Sequence, residues 1–217
     1  IETVTETVEL TWRDKAMTWG TVAFSFVLSL GLFFYLPILL TDLMVGEDSG
    51  SIAWNAVDGV VRVVMFVAYL WLVSRLKDMA RVFQYHGAEH MVIDAFENGK
   101  SADADGAGPA TTLHPRCGTS FLFFVMLISI VVFSFLGRPQ TVGDRLELLA
   151  FVPLIGGLAY EAIKLSGKYC RLWLLKPFIM PGLLLQRITT KRPDDDQLTV
   201  AMSALKAVLT PEADDFR

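Results

Sequence analysis

GTSFLFFVMLISIVVFSFLG, residues 118–137, runs for 20 positions without a charged side chain. An α-helix needs about 20 predominantly apolar residues to cross the hydrocarbon layer of a bilayer, so this stretch reads as a transmembrane helix. Residues 16–41 repeat the signal over 26 uncharged positions rich in Leu, Phe and Val. That run starts too far in, and is too long, to be the apolar part of a secretory signal.

Two weaker stretches follow the same logic. Residues 52–74 are apolar but contain Asp58 and Arg62. These lie four apart, share a helix face and can pair there, which reads as a structural pair near one membrane interface. Residues 148–160, LLAFVPLIGGLAY, form a shorter apolar core that ends at Glu161. Pro153 and the Gly156–Gly157 pair predict a kinked, closely packed helix.

Composition agrees with a membrane location. The chain is 53% hydrophobic and 19% charged, with a mean hydropathy of +0.46; soluble domains carry about 25% charged residues. The expected fold is all-α, an integral membrane helical bundle of about four transmembrane helices with cytoplasmic helical extensions. It forms a single membrane domain over 1–217, with spans at about 16–42, 51–75, 118–137 and 146–165. The chain opens on Ile rather than Met, so a piece or a processed product of a longer protein is expected. A net charge of −4, with no basic run, excludes a nucleic-acid partner. Cys117 and Cys170 are far apart in sequence and form no disulfide framework.

Lys and Arg in short loops mark the cytoplasmic side. Arg13 and Lys15 precede the first span; Arg75, Lys77 and Arg81 follow the second; Lys164, Lys168 and Arg171 follow the fourth. Both termini are therefore expected in the cytoplasm. The end of span two, the start of span three and the end of span four then share one membrane face. A cytoplasmic site region, 76–117, and an interfacial and cytoplasmic segment, 170–217, complete the expected plan. Residues 98–112 read as a flexible loop. Residues 172–185 are apolar but broken by Pro177, Pro181 and Gly182, which suits an interfacial or re-entrant segment. Asp194–Asp196 suit a helix N-terminus, and Leu198, Met202, Leu205 and Leu209 recur at helical spacing behind them.

FQYHGAEHMVIDAF, residues 83–96, holds two of the three histidines in the chain. His86 and His90 are one helical turn apart, a spacing that lets two imidazoles grip one metal ion. With Glu89 they read H-x-x-E-H, the inverted form of the zinc-protease motif. In that reading the histidines bind Zn2+ or another divalent transition metal, and Glu89 is the catalytic base. Gly87 costs about 1 kcal/mol of helix propensity and leaves room for something close to the backbone.

A catalytic zinc keeps three protein ligands and one open position. His114 or Glu161 is the expected third ligand, with Cys117 behind them. If all bind, the site is closed and structural. Cys117 also stands beside Arg116 at a helix start, where a thiolate is favoured, so a Cys–His nucleophile is an alternative to plain packing. Arg116 can equally be a headgroup anchor, and Glu161 can pair with Lys164.

RVFQYHGAEH, HPRCGTSF, YEAIKLSGK and PGLLLQRITTKRPDDDQLTVAMSAL together resemble the YqhQ family of bacterial membrane proteins, domain of unknown function 1385. The likeness covers about residues 70–209. It implies a bacterial cytoplasmic (inner) membrane protein, predicted to be metal-dependent, with no settled reaction. By motif, the family's polar positions fall on His86, Glu89, His90, His114, Arg116, Cys117, Glu161, 187–190 and 194–197. Family members begin with a Gly-Gly-Gln-Ala stretch leading to Glu-Gly-Val-Met-Met-Arg, which this sequence lacks; if that segment belongs to the site, this chain alone is incomplete.

The expected activity is that of a metal-dependent membrane hydrolase acting at the cytoplasmic face on a membrane-associated peptide or a lipid substrate. The other expectation is a metal-stabilised scaffold, transport subunit or assembly factor without catalysis. The lipid bilayer is the expected surrounding in either case.

Overall fold

The computed structural model describes residues 11–46, 49–100, 109–139, 141–170 and 172–209. The described residues are helical with no strand, as the sequence predicts. The loop expected at 98–112 falls largely outside them.

α1 (Trp12–Leu30) starts at Thr11, whose side chain and Asp14 form a reciprocal capping box. It runs through one π-helical turn (Gly31–Tyr35) into α2 (Leu36–Met44), making a continuous helix of 33 residues. α3 is Ser51–Val73 and α4 is Lys77–Glu97. α5 is Gly118–Leu136, the stretch quoted first. α6 (Val142–Ala150) and α7 (Val152–Lys168) follow. A 3-10 turn (Trp173–Leu175) leads to α8 (Lys176–Thr189), and α9 (Asp195–Val208) ends the described chain.

Among the described residues three helices are long and apolar enough to cross a membrane: Trp12–Met44, Ser51–Val73 and Gly118–Leu136. On α1, Trp19, Phe24, Phe26 and Val27 are largely exposed, as suits side chains facing lipid.

The fourth apolar stretch is two helices rather than one. A capping box between Thr141 and Asp144 starts α6, and the chain turns at Phe151 before the 17-residue α7. Pro153, in the first turn of α7, has no N–H with which to continue the α6 ladder. The kink is where the sequence places it, but the glycine pair is not the packing surface. Cβ atoms at Gly156 and Gly157 would meet nothing within 4 Å. α7 buries Ile155, Ala159 and Ile163 instead.

α5 is the centre of the bundle, packing against α3, α7 and α8. Gly59 on α3 lets Ile130 of α5 come so close that any Cβ there would overlap it. Gly182 on α8 does the same for Ser120, whose Oγ lies 2.7 Å from where its Cβ would stand. α8 continues through Pro181, which the sequence reading takes as a break. Its buried Ile179, Gly182, Leu185 and Gln186 show that packing outweighs the one backbone hydrogen bond Pro removes.

α4 and α9 form a second, smaller core. Ala88, Met91, Val92 and Ala95 meet Leu198, Ala201 and Met202, with Leu205 at the edge. α9 starts at a capping box of Asp194 and Gln197, with Asp195 and Asp196 in its first turn, as the acidic run predicts. The Asp58–Arg62 pair forms, at 2.7 Å. It sits at the middle of α3, however, and not near an end: Arg62 is the twelfth of 23 residues.

Candidate metal centre

α4 brings His86 and His90 onto one face, with ring centroids 4.5 Å apart and planes inclined at 67°. Cys117 is the N-cap of α5, in extended conformation. Its Sγ lies 3.2 Å from His86 Nε2. One ligand atom from each of His86, His90 and Cys117 can be chosen so that all three lie within 4.8 Å of one another. His90 and Cys117 are buried, at 6% and 5% exposure, and His86 is half-buried.

Each imidazole is tied by its other nitrogen to a backbone carbonyl. His86 Nδ1 donates to Thr189 O at 2.8 Å, and His90 Nδ1 donates to Thr112 O at 2.6 Å. A carbonyl only accepts, so Nδ1 of each ring carries a proton, and Nε2 is the atom each ring has left for Cys117. Such a backbone tether is the arrangement that orients a metal-binding histidine.

The strap carrying Thr189 reaches His86 because of Gly87. A Cβ at Gly87 would overlap Lys191 O, so the strap lies directly on the backbone of α4. Lys191 N donates to Phe83 O at 2.8 Å, and its Nζ donates to Ser74 O at 2.8 Å, at the C-cap of α3. The sequence reading allowed Gly87 this close approach without identifying what makes it.

A second tier holds the segment before Cys117. The fully buried Gln186 accepts from His114 N at 2.8 Å. Its Nε2 donates to His114 O at 2.7 Å and to Ser120 Oγ at 2.8 Å. His114 Nδ1 accepts from Arg116 N at 3.3 Å, and Nε2 donates to Glu97 Oε2 at 3.3 Å. Glu97 also pairs with Arg116. Gly167, at the end of α7, makes room for the Arg116 side chain. The ends of three apolar segments meet here, as loop charges and hydropathy predict.

Burial alone pushes the Cys117 thiol up, but hydrogen bonds from His86, His90 and Thr119 outweigh it and bring its pKa down from 9.0 to about 5. The hydrogen bond to Cys117 raises His86, against burial, and the Thr189 carbonyl adds to the rise.

Of the residues the sequence nominates, the structure brings His86, His90 and Cys117 together. His114 lies 5.8 Å from His90, centroid to centroid, with the rings tilted at 48°, but both its nitrogens are engaged elsewhere. Glu161 is exposed and pairs with Lys164 at 3.7 Å. Glu89 is exposed on the flank of α4 beside His86. Sequence reasoning missed Glu97, Gln186 and the two tethering carbonyls. Gln186, a polar residue directly behind three leucines in LLLQR, carried a faint signal; the carbonyls carried none.

The donor set fits a tetrahedral transition-metal ion. Zn–N near 2.0 Å and Zn–S near 2.3 Å imply N···S edges of about 3.5 Å. The 3.2 Å between His86 Nε2 and Cys117 Sγ is close to that edge.

Over residues 2–211 the chain matches the family described as "Protein of unknown function (DUF1385)". The match includes the first span, which the motifs alone did not reach. The chain is 31% identical over 189 residues to "Uncharacterized protein YqhQ" of Bacillus subtilis (strain 168), covering 87% of this chain and 59% of that protein. The chain thus spans about three-fifths of the length of the curated relative it matches. No solved structure matches it.

Proposed function

The chain belongs to the DUF1385 family, and on that premise we propose that it is a membrane metalloenzyme, hydrolytic in type, that holds a divalent ion of the zinc class between His86, His90 and Cys117. One observation carries the reading. Three metal-binding atoms converge, with both imidazole Nδ1–H groups turned away to carbonyls and the sulfur among them drawn toward its thiolate. One thiolate sulfur and two imidazole nitrogens facing one another are a donor set that a divalent cation of the zinc class completes.

A zinc-type ion there supplies Lewis-acid polarisation and a source of hydroxide at neutral pH. His86, His90 and Cys117 would hold such an ion with three protein donors, the number a catalytic zinc takes from its protein. The chain's own groups do the rest. Thr189 O and Thr112 O fix the rings. The half-buried edge of His86 and the exposed Glu89 mark the side from which water and substrate arrive. Glu89 takes the proton of the attacking water. By the Lys/Arg bias of the loops this side is cytoplasmic, and the substrate is a peptide amide or lipid-linked ester lying along the bacterial inner membrane.

The test is elemental analysis of the purified protein beside His90→Ala and Glu89→Gln. One equivalent of metal in the parent, none in His90→Ala and full occupancy without turnover in Glu89→Gln is the expected pattern. A folded parent without stoichiometric metal overturns it.

A second reading rests on the depressed Cys117 thiol and the raised His86. Together they make a thiolate–imidazolium pair, with Cys117 as nucleophile. A metal-free protein that acylates Cys117 with an activated ester would favour it.

A further inference from the structure

The half of the bundle remote from the metal centre encloses a partly open cavity of about 310 Å³ between α2, α3, α5, α6 and α7. Along α5 its nearest wall residue, Val125, is eight positions beyond Cys117, about 12 Å at 1.5 Å per residue. The wall is mostly apolar, with Phe34, Ile38, Ile130 and Phe133 among its residues. Asn55, Asp58, Arg62 and Ser129 supply its polar groups. Pockets that bind small molecules have this make-up: apolar walls, a few placed polar groups, and a site between the helices of a bundle.

Two of these polar groups are satisfied internally. Asn55 Nδ2 donates to Ser51 O and Gly137 O, and Ser129 Oγ donates to Val125 O. Arg62 is different. Its Nε donates to Asp58 Oδ2 at 2.7 Å, and one Nη1 proton goes to Phe33 O at 3.0 Å. Among the described residues Nη2 has no partner. One-third of the side chain, 33%, is exposed at the middle of a membrane span. Next to it Asp58 Oδ1 is buried with no hydrogen-bond partner.

The backbone opposite is built for this arginine. Pro37 has no N–H to give the carbonyl four residues back, Phe33 O, and the helix there is wound as a π turn. Arg62 donates to that carbonyl. Irregular backbone at membrane depth is tolerated where it lines a cavity, and π turns recur at functional sites. An ionisable residue in a span is expensive and marks a functional position.

We propose that this cavity binds an uncharged single-chain lipid, its acyl chain along the apolar wall and its ester or hydroxyl oxygen accepting from Arg62 Nη2. Charge decides the headgroup class. Asp58 and Arg62 already neutralise each other, so a charged head would leave one uncompensated charge in low dielectric, whereas a hydroxyl or ester oxygen accepts from Arg62 without adding charge. The site is separate from the His–Cys centre and does not depend on metal.

The probe is a monoacylglycerol with a photoreactive diazirine in its acyl chain, offered to the full chain in detergent micelles. Labelling of the parent should be saturable and map to α2, α3 and α5. Unlabelled monoacylglycerol should compete about tenfold better than the matching alkane or the matching fatty acid. Val125→Trp and Ser129→Phe fill the cavity and should abolish saturable labelling. Asp58→Asn with Arg62→Gln, which keeps the pair neutral, should remove the preference over the alkane. Labelling that never saturates, maps elsewhere or competes equally with the alkane overturns the proposal, as does a preference for the fatty acid. Peptide mapping in the parent decides the matter even if a filling variant fails to fold.

Discussion

Cys117 Sγ and His86 Nε2 lie 3.2 Å apart across 31 residues of sequence, at the point where the start of one membrane span meets the helix that follows another. The imidazole on one side and the thiol on the other each shift the other's proton affinity.

The metal-free protein should therefore show a thiolate far below the ordinary thiol range. Cys117 falls from 9.0 to about 5. A depressed acid contributes its full stability only above the unfolded value and loses it as pH falls through the folded one, here between about 9 and 5. The raised His86 works the other way: its contribution is complete below the unfolded 6.5 and is lost as pH rises through the folded value. Thiolate absorbance in the ultraviolet should titrate near pH 5 in the parent and return toward 9 in His86→Ala. An unchanged midpoint in that variant would refute the coupling.

Gly87→Ala should cost more than its helix propensity returns. The new methyl meets backbone, Lys191 O, which cannot rotate away. The strap must lift, and His86 loses its carbonyl tether. Metal affinity should drop by about 10- to 100-fold, as for other lost tethers. Gly156→Ala, with open space around it, should leave thermal stability unchanged or raise it by about 1 kcal/mol. Thermal melts and metal titration of the two variants side by side check both statements.

Gln186→Met keeps roughly the volume and removes three hydrogen bonds. It leaves the His114 amide and carbonyl without their buried partner. A loss of about 2 kcal/mol or more is expected in chemical denaturation, with Cys117 alkylated faster because its segment loosens. Equal denaturation midpoints would show that the Gln186 contacts are incidental.

Arg62→Leu leaves Asp58 unpaired at the middle of α3 and should destabilise by about 3–5 kcal/mol. Adding Asp58→Leu should recover most of that, because the double variant buries no lone charge. The remainder is the Phe33 carbonyl that Arg62 no longer satisfies. A double-mutant cycle by denaturation reads the coupling directly.

Long apolar runs and local signals were legible in the sequence. The three spans, the capping box of α9, the kink at Pro153 and the histidine pair on one helix face depend on residues within a turn or two of each other. The division of the fourth stretch into α6 and α7 follows from the Thr141–Asp144 capping box and Pro153, local signals that the hydropathy reading merged into one span, whereas the survival of α8 through Pro181 depends on packing against α5, which periodicity does not encode. At the centre, His86 and His90 could be read from spacing, but sequence favoured His114 and Glu161 over Cys117 as the third member. Residue type gave no reason to prefer Cys117. What places it is the N-cap position of α5, and what occupies His114 is Glu97, a residue no motif marked. Asp58 and Arg62 were readable as a pair, but not as the lining of a cavity, because its other walls come from four different helices.

The carbonyl that steers His86 belongs to Thr189, more than a hundred residues downstream and beyond the three candidate membrane spans of the described residues. During synthesis the first histidine of the pair emerges long before its anchor exists. All three crossings can be inserted while that ring still swings freely. The centre is therefore finished late, when the tail folds back over Gly87. A ribosome-stalled chain ending before Thr189 would be threaded through its bilayer yet chemically unready.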